Sequence, residues 1–584
     1  MDEKEKTIKE LAFQIEKLKN QIKEIKSKKK YGLVWDEKES ETVISDCQKK
    51  LPILLEIKEN NIITDQDKPI NIMIEGDNYH SLSVLNYTHK GKIDVIYIDP
   101  PYNTGSECFL YNDNRYVNVN SDDPYKHSKW ISFIAKRLKL AKGLLKEDGI
   151  IFISIDINEL AQLKLLCDEI FDNNLISLIT VKVKDPAGVG QQSTIFDVCE
   201  YVLAYAKNIN QFKKTHTELP MDYEPLKEQY GSYNNLLIDY GKSTFVKEID
   251  RKNVGKIRIY SCQNSKVKKT SDMKLNEYIK NRNRVFASYN PSGGMIVAIR
   301  DEIPKTGLSY IEHIPTKGKN AGKLTKTYFL NGRILSWLGD ITTFDKGQLL
   351  KQTKMTNVWD IPNASLYLEG GVDFVNGKKP LRLLTKLLNI IDKENITVLD
   401  FFAGSGSTGE AVLDLNKISG NRKFILCTNN EGGIAKICRK RIFNAINGYN
   451  SKTSDGGNLK YFKTDFVDID ALSYVSDEQR INLTYRVGEM IALKENTFEE
   501  VEKNEWWQIF TDGTKHTAIY FKEDKSKLNK LVKQLLSLRL EVALYIFSWG
   551  KNEYANEFSE YKNIRVEDIP EPIIKVYEEI NKLA

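Results

Sequence analysis

The sequence predicts an α/β fold in which a mostly parallel sheet is interrupted by an inserted segment and followed by a small C-terminal α/β domain. Short apolar runs alternate with amphipathic helical stretches from 71 to 215. This alternation stops between about 216 and 354 and then resumes. Strand–helix alternation is typical of a parallel sheet, and a break in it indicates an insert.

Residues 1–30 are predicted to form one helix ahead of this fold. Apolar residues recur there at alternating steps of three and four; they are Ile8, Leu11, Ile15, Leu18, Ile22 and Ile25. Such spacing predicts a coiled-coil arm, and Ile at a with mostly Leu at d favours two parallel strands. The seam lasts about three heptads, so packing on the protein's own surface is an equal alternative.

The first half of the sheet is expected within 31–215. Three apolar runs each end in acidic or turn residues: NIMIEGD at 71–77, KIDVIYIDPPY at 92–102 and GIIFISIDINE at 149–159. Residues 128–146 have the spacing of an amphipathic helix. The strands should therefore end at one edge, where their polar residues would meet.

The segment 216–354 is predicted to be a separate basic insert. Between 316 and 354 there are eight Lys or Arg residues and two Asp, an excess of +6, which equals the net charge of the whole 584-residue chain. Aromatic residues are interleaved with them. This pattern favours nucleic-acid binding over a solvated lysine-rich surface. The candidate contacts are Lys317, Lys319, Lys323, Lys326 and Arg333.

The second half of the sheet is expected within 355–450. A helix is predicted over 380–391, strand–turn–helix over 396–415, and a strand over 422–431. Residues 460–584 are predicted to form a small α/β domain. It should contain a hairpin near Asp512-Gly513, a helix near 524–538 and a strand near 541–547.

Composition narrows the class of protein. The seven cysteines form no CxxC pair, which disfavours a disulfide framework or a zinc site of ordinary spacing, and no metal is expected. No apolar run is long enough to cross a membrane. The charged start MDEKEKTIKE does not resemble a secretory signal and favours the cytoplasm.

Residues 400–409, DFFAGSGSTG, follow an apolar strand and precede a helix. Glycines allow a tight turn and a close approach to a ligand, and the helix start offers free N–H groups. Glu431 ends the next apolar run, where a carboxylate can bind ribose hydroxyls. Gly404, Gly406 and Gly409 also satisfy GxGxxG, so a dinucleotide site is an alternative.

The tetrapeptide Asp99-Pro100-Pro101-Tyr102 is the most specific signal in the chain. A carboxylate and a backbone carbonyl can each accept one N–H of an exocyclic amine and orient its lone pair for attack. Proline rigidifies such a turn, and tyrosine offers a face on which an extruded base can stack. The plainer alternative is a strand-ending turn with a packed tyrosine.

Together these motifs resemble the β group of DNA adenine-N6 methyltransferases, and in particular the modification (Mod) subunits of Type III restriction–modification systems. The blocks IEGDNYHSLSVL, YIDPPYNTGSECFLYND, KPLRLLTKLL and LDFFAGSGSTGEAV carry the resemblance, in that order along the chain. It implies a Rossmann-like methyltransferase sheet, the cofactor S-adenosylmethionine, and a target-recognition role for 216–354.

The resemblance also implies roles for single residues. Asp99 and the Pro100 carbonyl would hold the target amine, Pro101 would stiffen the turn, and Tyr102 would stack on the base. The cofactor would be bound around Asp77, Pro380, Asp400, Phe402, Gly404, Gly406, Thr408 and Glu431. Residues 31–215 would be the catalytic half and 355–450 the cofactor-binding half.

Partners are expected from the same resemblance. They are double-stranded DNA, a second copy of the chain contacted through the arm or the C-terminal domain, and a separate restriction subunit with helicase and nuclease activity. The chain itself has no GxxxxGK[ST] phosphate loop. The alternatives are a solitary DNA or RNA adenine methyltransferase and a DNA-specificity subunit without catalysis. A cytosine-C5 enzyme is disfavoured because no cysteine follows a proline.

Overall fold

The computed structural model describes most of the chain from residue 42 onwards. The described ranges are 42–65, 67–104, 125–185, 195–216, 221–226, 231–251, 255–291, 294–315, 322–345, 348–363, 366–374, 377–549, 554, 558 and 561–583. The predicted arm at 1–30, Lys317 and Lys319 lie outside them. The chain divides into two compact units: Met1–Glu218 with Asn357–Ala584, and Leu219–Thr356.

An eleven-stranded sheet forms the centre of the first unit, in the order β1-β22-β3-β21-β20-β4-β5-β7-β6-β19, with β2 paired to β22. Its strands are β1 Lys50–Glu56, β2 Ile62–Ile63, β3 Ile70–Glu75, β4 Ile93–Ile98, β5 Leu145–Ile155, β6 Leu175–Lys182, β7 Cys199–Ala206, β19 Val358–Asp360, β20 Thr397–Asp400, β21 Lys423–Thr428 and β22 Asn458–Asp468. The strands from β22 to β5 run parallel, whereas β7 is antiparallel to both neighbours. The predicted α/β sheet is confirmed.

The strand order reverses between β20 and β4. From β4 the chain moves outward to β5, and from β20 it moves the opposite way to β21. The carboxyl ends of two such strands face a crevice that the outgoing helices leave open, which is where open α/β sheets bind ligands. DPPY follows β4 and the glycine-rich turn follows β20. Two distant sequence motifs therefore meet at one switch point.

Helices cover the sheet because their apolar faces complete its core. The helices of the first unit are α1 Thr42–Asp46, α2 Asn78–Thr88, α3 Lys126–Leu144, α4 Leu160–Ile170, α5 Ile209–Thr215, α8 Leu381–Leu388, α9 Ser407–Ile418, α10 Ile434–Asn447, α11 Asp477–Arg486, α12 Gly488–Glu495, α13 Lys525–Ser537 and α14 Glu571–Leu583. The predicted helices at 128–146, 380–391 and 524–538 are confirmed as α3, α8 and α13. Among the described helices, none is both long and apolar enough to cross a bilayer.

The C-terminal region contains a five-stranded sheet in chain order: β23 Glu499–Lys503, β24 Trp507–Thr511, β25 Lys515–Tyr520, β26 Glu541–Phe547 and β27 Ile564–Ile569. The predicted hairpin is confirmed between β24 and β25, where Gly513 has a φ of +85°. The boundary expected at 460 falls inside β22, because that strand pairs with β3 in the central sheet. One continuous hydrophobic core contains residues of both sheets, so this region packs as part of the first unit.

The second unit is built from antiparallel strands. One sheet has the order β10-β11-β14-β15-β16-β13-β9-β12 and the other β17-β18-β8. The strands are β8 Met221–Pro225, β9 Asn235–Asp239, β10 Lys242–Arg251, β11 Gly255–Gln263, β12 Lys266–Lys269, β13 Val285–Tyr289, β14 Leu308–His313, β15 Thr325–Leu330, β16 Arg333–Trp337, β17 Thr342–Asp345 and β18 Gln348–Lys354, and the helices are α6 Leu275–Lys280 and α7 Gly294–Ala298. A ladder of aromatic side chains crosses four strands in register, from Phe245 through Tyr260 and Tyr310 to Tyr328.

Candidate active site

Asp99 and Tyr102 lie just beyond the carboxyl end of β4. The Tyr102 hydroxyl donates to Asp99 Oδ1 at 2.8 Å, and the Asp99 side chain is 20% exposed. Residue 99 is placed at the edge because the six preceding residues, IDVIYI, are wholly buried in the sheet. The pair therefore presents a carboxylate and an aromatic ring side by side at the switch point.

Two residues outside the predicted motifs complete this cluster. Lys379 Nζ donates to Tyr102 OH at 2.5 Å and to Glu200 Oε2 at 2.6 Å, and it lies 3.4 Å from Asp99 Oδ1. Its ammonium group is 4.7 Å from the centre of the Tyr102 ring. Glu200 is on β7, whose antiparallel direction brings its first residues to the edge where the parallel strands end.

Burial and charge act against each other on Asp99. Burial raises the pKa of this carboxyl group, the Lys379 ammonium lowers it, and the Glu200 carboxylate raises it again, so that the net direction is upward. The hydrogen bond from Tyr102 also favours the ionised form. The site thus holds a carboxylate whose ionisation depends on one neighbouring cation.

The DPPY turn is held from behind by residues of α3 and by Glu159, which directly precedes α4. Trp130 Nε1 donates to the Pro101 carbonyl at 2.7 Å. Asn103 has a left-handed backbone (φ +55°), and its amide donates to the buried carboxylate of Glu159 at 2.5 Å. His127 Nδ1 contacts the same Glu159 oxygen at 2.6 Å. The Trp130 contact fixes the orientation of the Pro101 carbonyl, and the Glu159 contacts fix the residue that follows Tyr102.

The glycine-rich turn has the predicted strand–turn–helix form. Gly406 caps α9 with a φ of +84°, and a Cβ there would lie 2.9 Å from Cys438 Sγ, so a side chain is strained by conformation and by contact. Gly404 has a φ of +50°, and a Cβ there would meet only the Phe402 carbonyl, at 3.8 Å. The turn therefore presents backbone on an open side, which suits a closely bound ligand.

Asp400, Phe402 and Thr408 form the inner side of this turn. Asp400 accepts from Phe402 N at 3.0 Å and from Thr408 Oγ1 at 2.5 Å. The Phe402 ring is 3% exposed and lies 6.0 Å from the Phe133 ring. These three side chains brace the turn, so any contact from Phe402 to a ligand would come from its backbone.

A buried ion pair supports the turn from α10. Arg441 Nε donates to Glu410 Oε2 at 2.6 Å, and both side chains are fully buried. Arg441 Nη1 also donates to Ser405 Oγ at 3.0 Å and to Ser407 Oγ at 2.6 Å. The guanidinium group therefore ties both serine hydroxyls of the glycine-rich turn to a single carboxylate.

The remaining predicted cofactor residues are Asp77, Pro380 and Glu431. The end of the strand before Glu431 differs from the prediction. Asp77 caps α2 by accepting from Tyr79 N at 2.7 Å, and Pro380 precedes α8. The strand predicted to end at Glu431 ends at Thr428, so Glu431 lies three residues further on, in a 3-10 turn. Residues 429–430 do not continue the β pairing because the chain turns there towards α10.

The three candidate DNA contacts of the insert that the structure describes do not form one cluster. Lys326 is near the start of β15, 3.3 Å from Glu312 Oε1, whereas Arg333 pairs opposite Leu330 at the other end of that strand. Four residues of β-strand separate Lys326 from Leu330, about 14 Å. Lys323 is exposed just before β15. These residues line a strand rather than forming one patch.

Lys379, Glu200 and the Arg441–Glu410 pair were not predicted as site residues. Lys379 is the first residue of the block KPLRLLTKLL and directly precedes the predicted site residue Pro380. Its charge next to a predicted site residue was therefore a signal that the sequence offered. Glu200 lies in an apolar strand with no motif around it, and Glu410 directly follows the last glycine of the glycine-rich turn but was not among the residues singled out. A buried carboxylate in such a run needs a partner, but the sequence does not say which one.

The titration of Asp400 gives the first testable prediction. Burial raises the pKa of Asp400 to about 7, against an ordinary value of 3.8. Between these values the folded protein binds a proton that the unfolded chain does not, so the free energy of unfolding falls as the pH rises, by at most ~1.4 kcal/mol per pH unit. Urea unfolding of the cofactor-free protein between pH 5 and 8 should show this slope, and Asp400→Asn should reduce it. Parallel curves for the two proteins would refute the assignment.

Comparison with known proteins finds relatives whose similarity covers both motifs. A family model described as DNA methylase matches residues 93–301 and 309–437, which include both motifs. A Type II methyltransferase of Klebsiella pneumoniae, M.KpnI, is 31% identical over 375 residues, which are 61% of this chain and 79% of that protein.

Two Type III proteins are also similar to the chain. The probable HindVI Mod subunit of Haemophilus influenzae is 33% identical over 370 residues, 59% of this chain and 47% of its own length. The EcoPI Mod subunit of Escherichia phage P1 is 32% identical over 446 residues, 69% of this chain and 64% of its own length. The chain thus spans about half to two thirds of the length of these two relatives.

Proposed function

Since the chain belongs to the DNA methylase family, we propose that it transfers a methyl group from S-adenosylmethionine to N6 of an adenine within a short DNA sequence. The observation that carries this proposal is Asp99 at the end of β4, next to an aromatic ring and beside the glycine-rich turn. Aspartate at this position favours adenine over cytosine N4, for which related enzymes generally have serine. A carboxylate can accept an N–H of an exocyclic amine.

S-adenosylmethionine fits the residues at the second motif. Side-chain oxygens of Thr428, Asn429 and Asn430 are buried with no hydrogen-bond partner among the described residues. They lie at the carboxyl end of β21, next to β20 and its turn. Buried polar oxygens need donors, and the hydroxyl and amino groups of a nucleoside would supply them. Asp77, Pro380, Gly404, Gly406 and Glu431 would surround the cofactor, and Asp400, Phe402 and Thr408 would hold the turn in shape.

In the proposed mechanism the bound cofactor would supply an electrophilic methyl group, whose bond to sulfur would break as the bond to N6 forms, with S-adenosylhomocysteine as the leaving group. Asp99 accepts one N–H of the extruded adenine and the Pro100 carbonyl accepts the other, which orients the nitrogen lone pair for direct attack. Tyr102 stacks on the base and holds it out of the helix. After transfer, Asp99 accepts the proton released from N6. Among the described residues no group of three or more His, Cys, Asp or Glu is arranged to hold a metal, and no step here uses one.

We further propose that the chain is the modification and recognition subunit of a Type III system acting in the cytoplasm. The named Mod subunits among its relatives support this assignment. The unit Leu219–Thr356 would recognise double-stranded DNA, the arm at 1–30 and the C-terminal region would contact a second copy, and a separate restriction subunit would supply ATP hydrolysis and cleavage. A solitary methyltransferase would not bind a restriction subunit.

The proposed reaction can be tested directly in vitro. The purified protein would be incubated with S-adenosylmethionine carrying a labelled methyl group and, in separate reactions, with DNA from a host that lacks methylation or with unmodified RNA, and the nucleosides would be separated after digestion. We expect the label in N6-methyl-2′-deoxyadenosine from the DNA. Label in N4-methylcytosine would reject the adenine assignment, and label in RNA alone would reject the DNA assignment. Tight DNA binding with no transfer would favour a specificity subunit.

The role of the insert gives a second prediction. Replacing Lys323, Lys326 and Arg333 with alanine should weaken DNA binding and reduce the dependence of log K on log salt by about 0.9 for each lost phosphate contact. Binding would be measured by fluorescence anisotropy at several salt concentrations. The matched control is the double alanine variant of Lys530 and Lys533, which are exposed on α13. An unchanged slope in the triple variant would overturn the assignment.

A further inference from the structure

We propose that Lys379 and Glu200 are positioning residues of the methyl-transfer site. Glu200 fixes the Lys379 ammonium group, which orients Asp99 and Tyr102 and stabilises the ionised carboxylate that accepts the target amine. This inference rests on the proposed function. Neither residue belongs to the DPPY or glycine-rich motifs, and they are 179 positions apart in the chain.

The contacts of Lys379 support this role. Its Nζ has three polar neighbours: Glu200 Oε2 at 2.6 Å, Tyr102 OH at 2.5 Å and Asp99 Oδ1 at 3.4 Å. An ammonium group has three donors and no acceptor, so all three can be used at once. The Tyr102 hydroxyl accepts from Lys379 and donates to Asp99. The four side chains therefore form one connected network with fixed orientation.

Charge explains why this network contains two carboxylates. Lys379 is only 12% exposed, and although burial lowers the pKa of its ammonium, Asp99 and Glu200 raise it, so the net direction is upward. One cation close to Asp99 alone would form a tight pair and compete with the target amine for the carboxylate. Glu200 holds Lys379 at the shorter distance, which leaves Asp99 at 3.4 Å with a free lone pair for a substrate.

Other groups near Asp99 cannot replace this cation. The titratable groups that interact with Asp99 besides Lys379 are Glu200, Tyr102, Tyr97 and Asp400, which are neutral or acidic. Glu200 in turn lies near Asp156. Among the described residues in these interactions, Lys379 is therefore the one that favours an ionised Asp99 by its charge.

Lys379 and Glu200 shift the pKa of Asp99 in opposite directions, and this difference provides a specific test. Removing the Lys379 charge should make Asp99 harder to ionise, and removing the Glu200 charge should make it easier. A purely structural ion pair would lower the rate in both variants without moving the pH dependence in opposite directions. The acid side of the pH–rate profile reports ionisation of the essential carboxylate.

The experiment measures single-turnover methyl transfer to a DNA substrate from pH 5 to 9 for Lys379→Met, Lys379→Gln, Lys379→Arg and Glu200→Gln. For the two neutral variants at 379 we expect a rate about 10²-fold lower and an acid limb at higher pH. Glu200→Gln should move the limb to lower pH, with a rate about tenfold lower. In Lys379→Arg the acid limb of the pH–rate profile should stay at the pH found for the wild-type protein, because arginine keeps the positive charge.

A matched control is Lys164→Met on α4, which removes the lysine of another ion pair, 2.6 Å from Asp168. Its profile should not change. S-adenosylmethionine affinity would be measured for every variant as a check on folding. Limbs that move in the same direction, or that do not move, would overturn the proposal. If the wild-type protein transfers no methyl group, the proposed function fails instead, so the two failures are distinguishable.

Discussion

Replacement of Asp99 by alanine is expected to lower the rate of methyl transfer by about 10³-fold, the scale of losing a preorganised polar contact at a reacting centre. The variant loses the acceptor of one N–H and the group that takes up the released proton. S-adenosylmethionine affinity should be nearly unchanged, because the glycine-rich turn is held by Asp400 and Arg441. Single-turnover transfer and calorimetric cofactor binding measure the two quantities separately.

A conservative variant and a control sharpen this prediction. Asp99→Asn keeps the shape but replaces one acceptor by a donor and removes the charge, so it should be nearly as slow as alanine. Asp172→Asn is the control, because that carboxylate is 72% exposed and its ion pair, among the described residues, is with Lys142 at the surface. Retention of more than about a tenth of the rate in Asp99→Asn would show that the carboxylate is not the essential acceptor.

Replacement of Arg441 by methionine is expected to destabilise the first unit by about 3–5 kcal/mol, because the buried Glu410 carboxylate loses its arginine partner. Tyr449 OH and Lys452 Nζ still contact Glu410, at 2.5 Å and 2.8 Å, which limits the loss. The variant also frees Ser405 and Ser407, so cofactor affinity should fall as well. Urea unfolding measures the first effect and calorimetry the second.

A surface pair is the control for this second prediction. Arg480 Nη1 lies 2.7 Å from Glu571 Oε2, and both side chains are partly exposed. Its replacement by methionine should cost less than about 1 kcal/mol. The double variant of Arg441 and Glu410 to methionine should be less destabilised than the two single variants added together, since no unpaired charge remains. Additive losses, or equal losses at Arg441 and Arg480, would contradict the account.

Local patterns explain which parts of the fold could be predicted. The runs INIMIE, IDVIYI and TVLD are apolar because they are buried in the sheet, and each is followed at once by its functional residues. The strand–turn–helix segment around the glycine-rich turn and the DPPY tetrapeptide could likewise be predicted, because each is formed by consecutive residues. Their meeting at one edge follows from the common direction of parallel strands, which the alternating pattern already indicates.

What could not be predicted depends on long-range pairing. Glu200 reaches the site only because β7 is antiparallel to β5, a direction that the sequence of β7 does not encode. The boundary near 460 was misplaced because β22 has the apolar pattern of any strand, and only its pairing with β3 assigns it to the central sheet. Similarly, spacing along the chain does not show that Lys326 lies near one end of β15 and that Arg333, on β16, pairs with the other end.

The most direct test of the central claim is single-molecule long-read sequencing of DNA from a methylation-free host that expresses this chain, beside the same host expressing Asp99→Ala. The account predicts one modified adenine within one short motif in the first sample and none in the second. Modification at cytosine, modification that persists in Asp99→Ala, or no modification in either sample would contradict it.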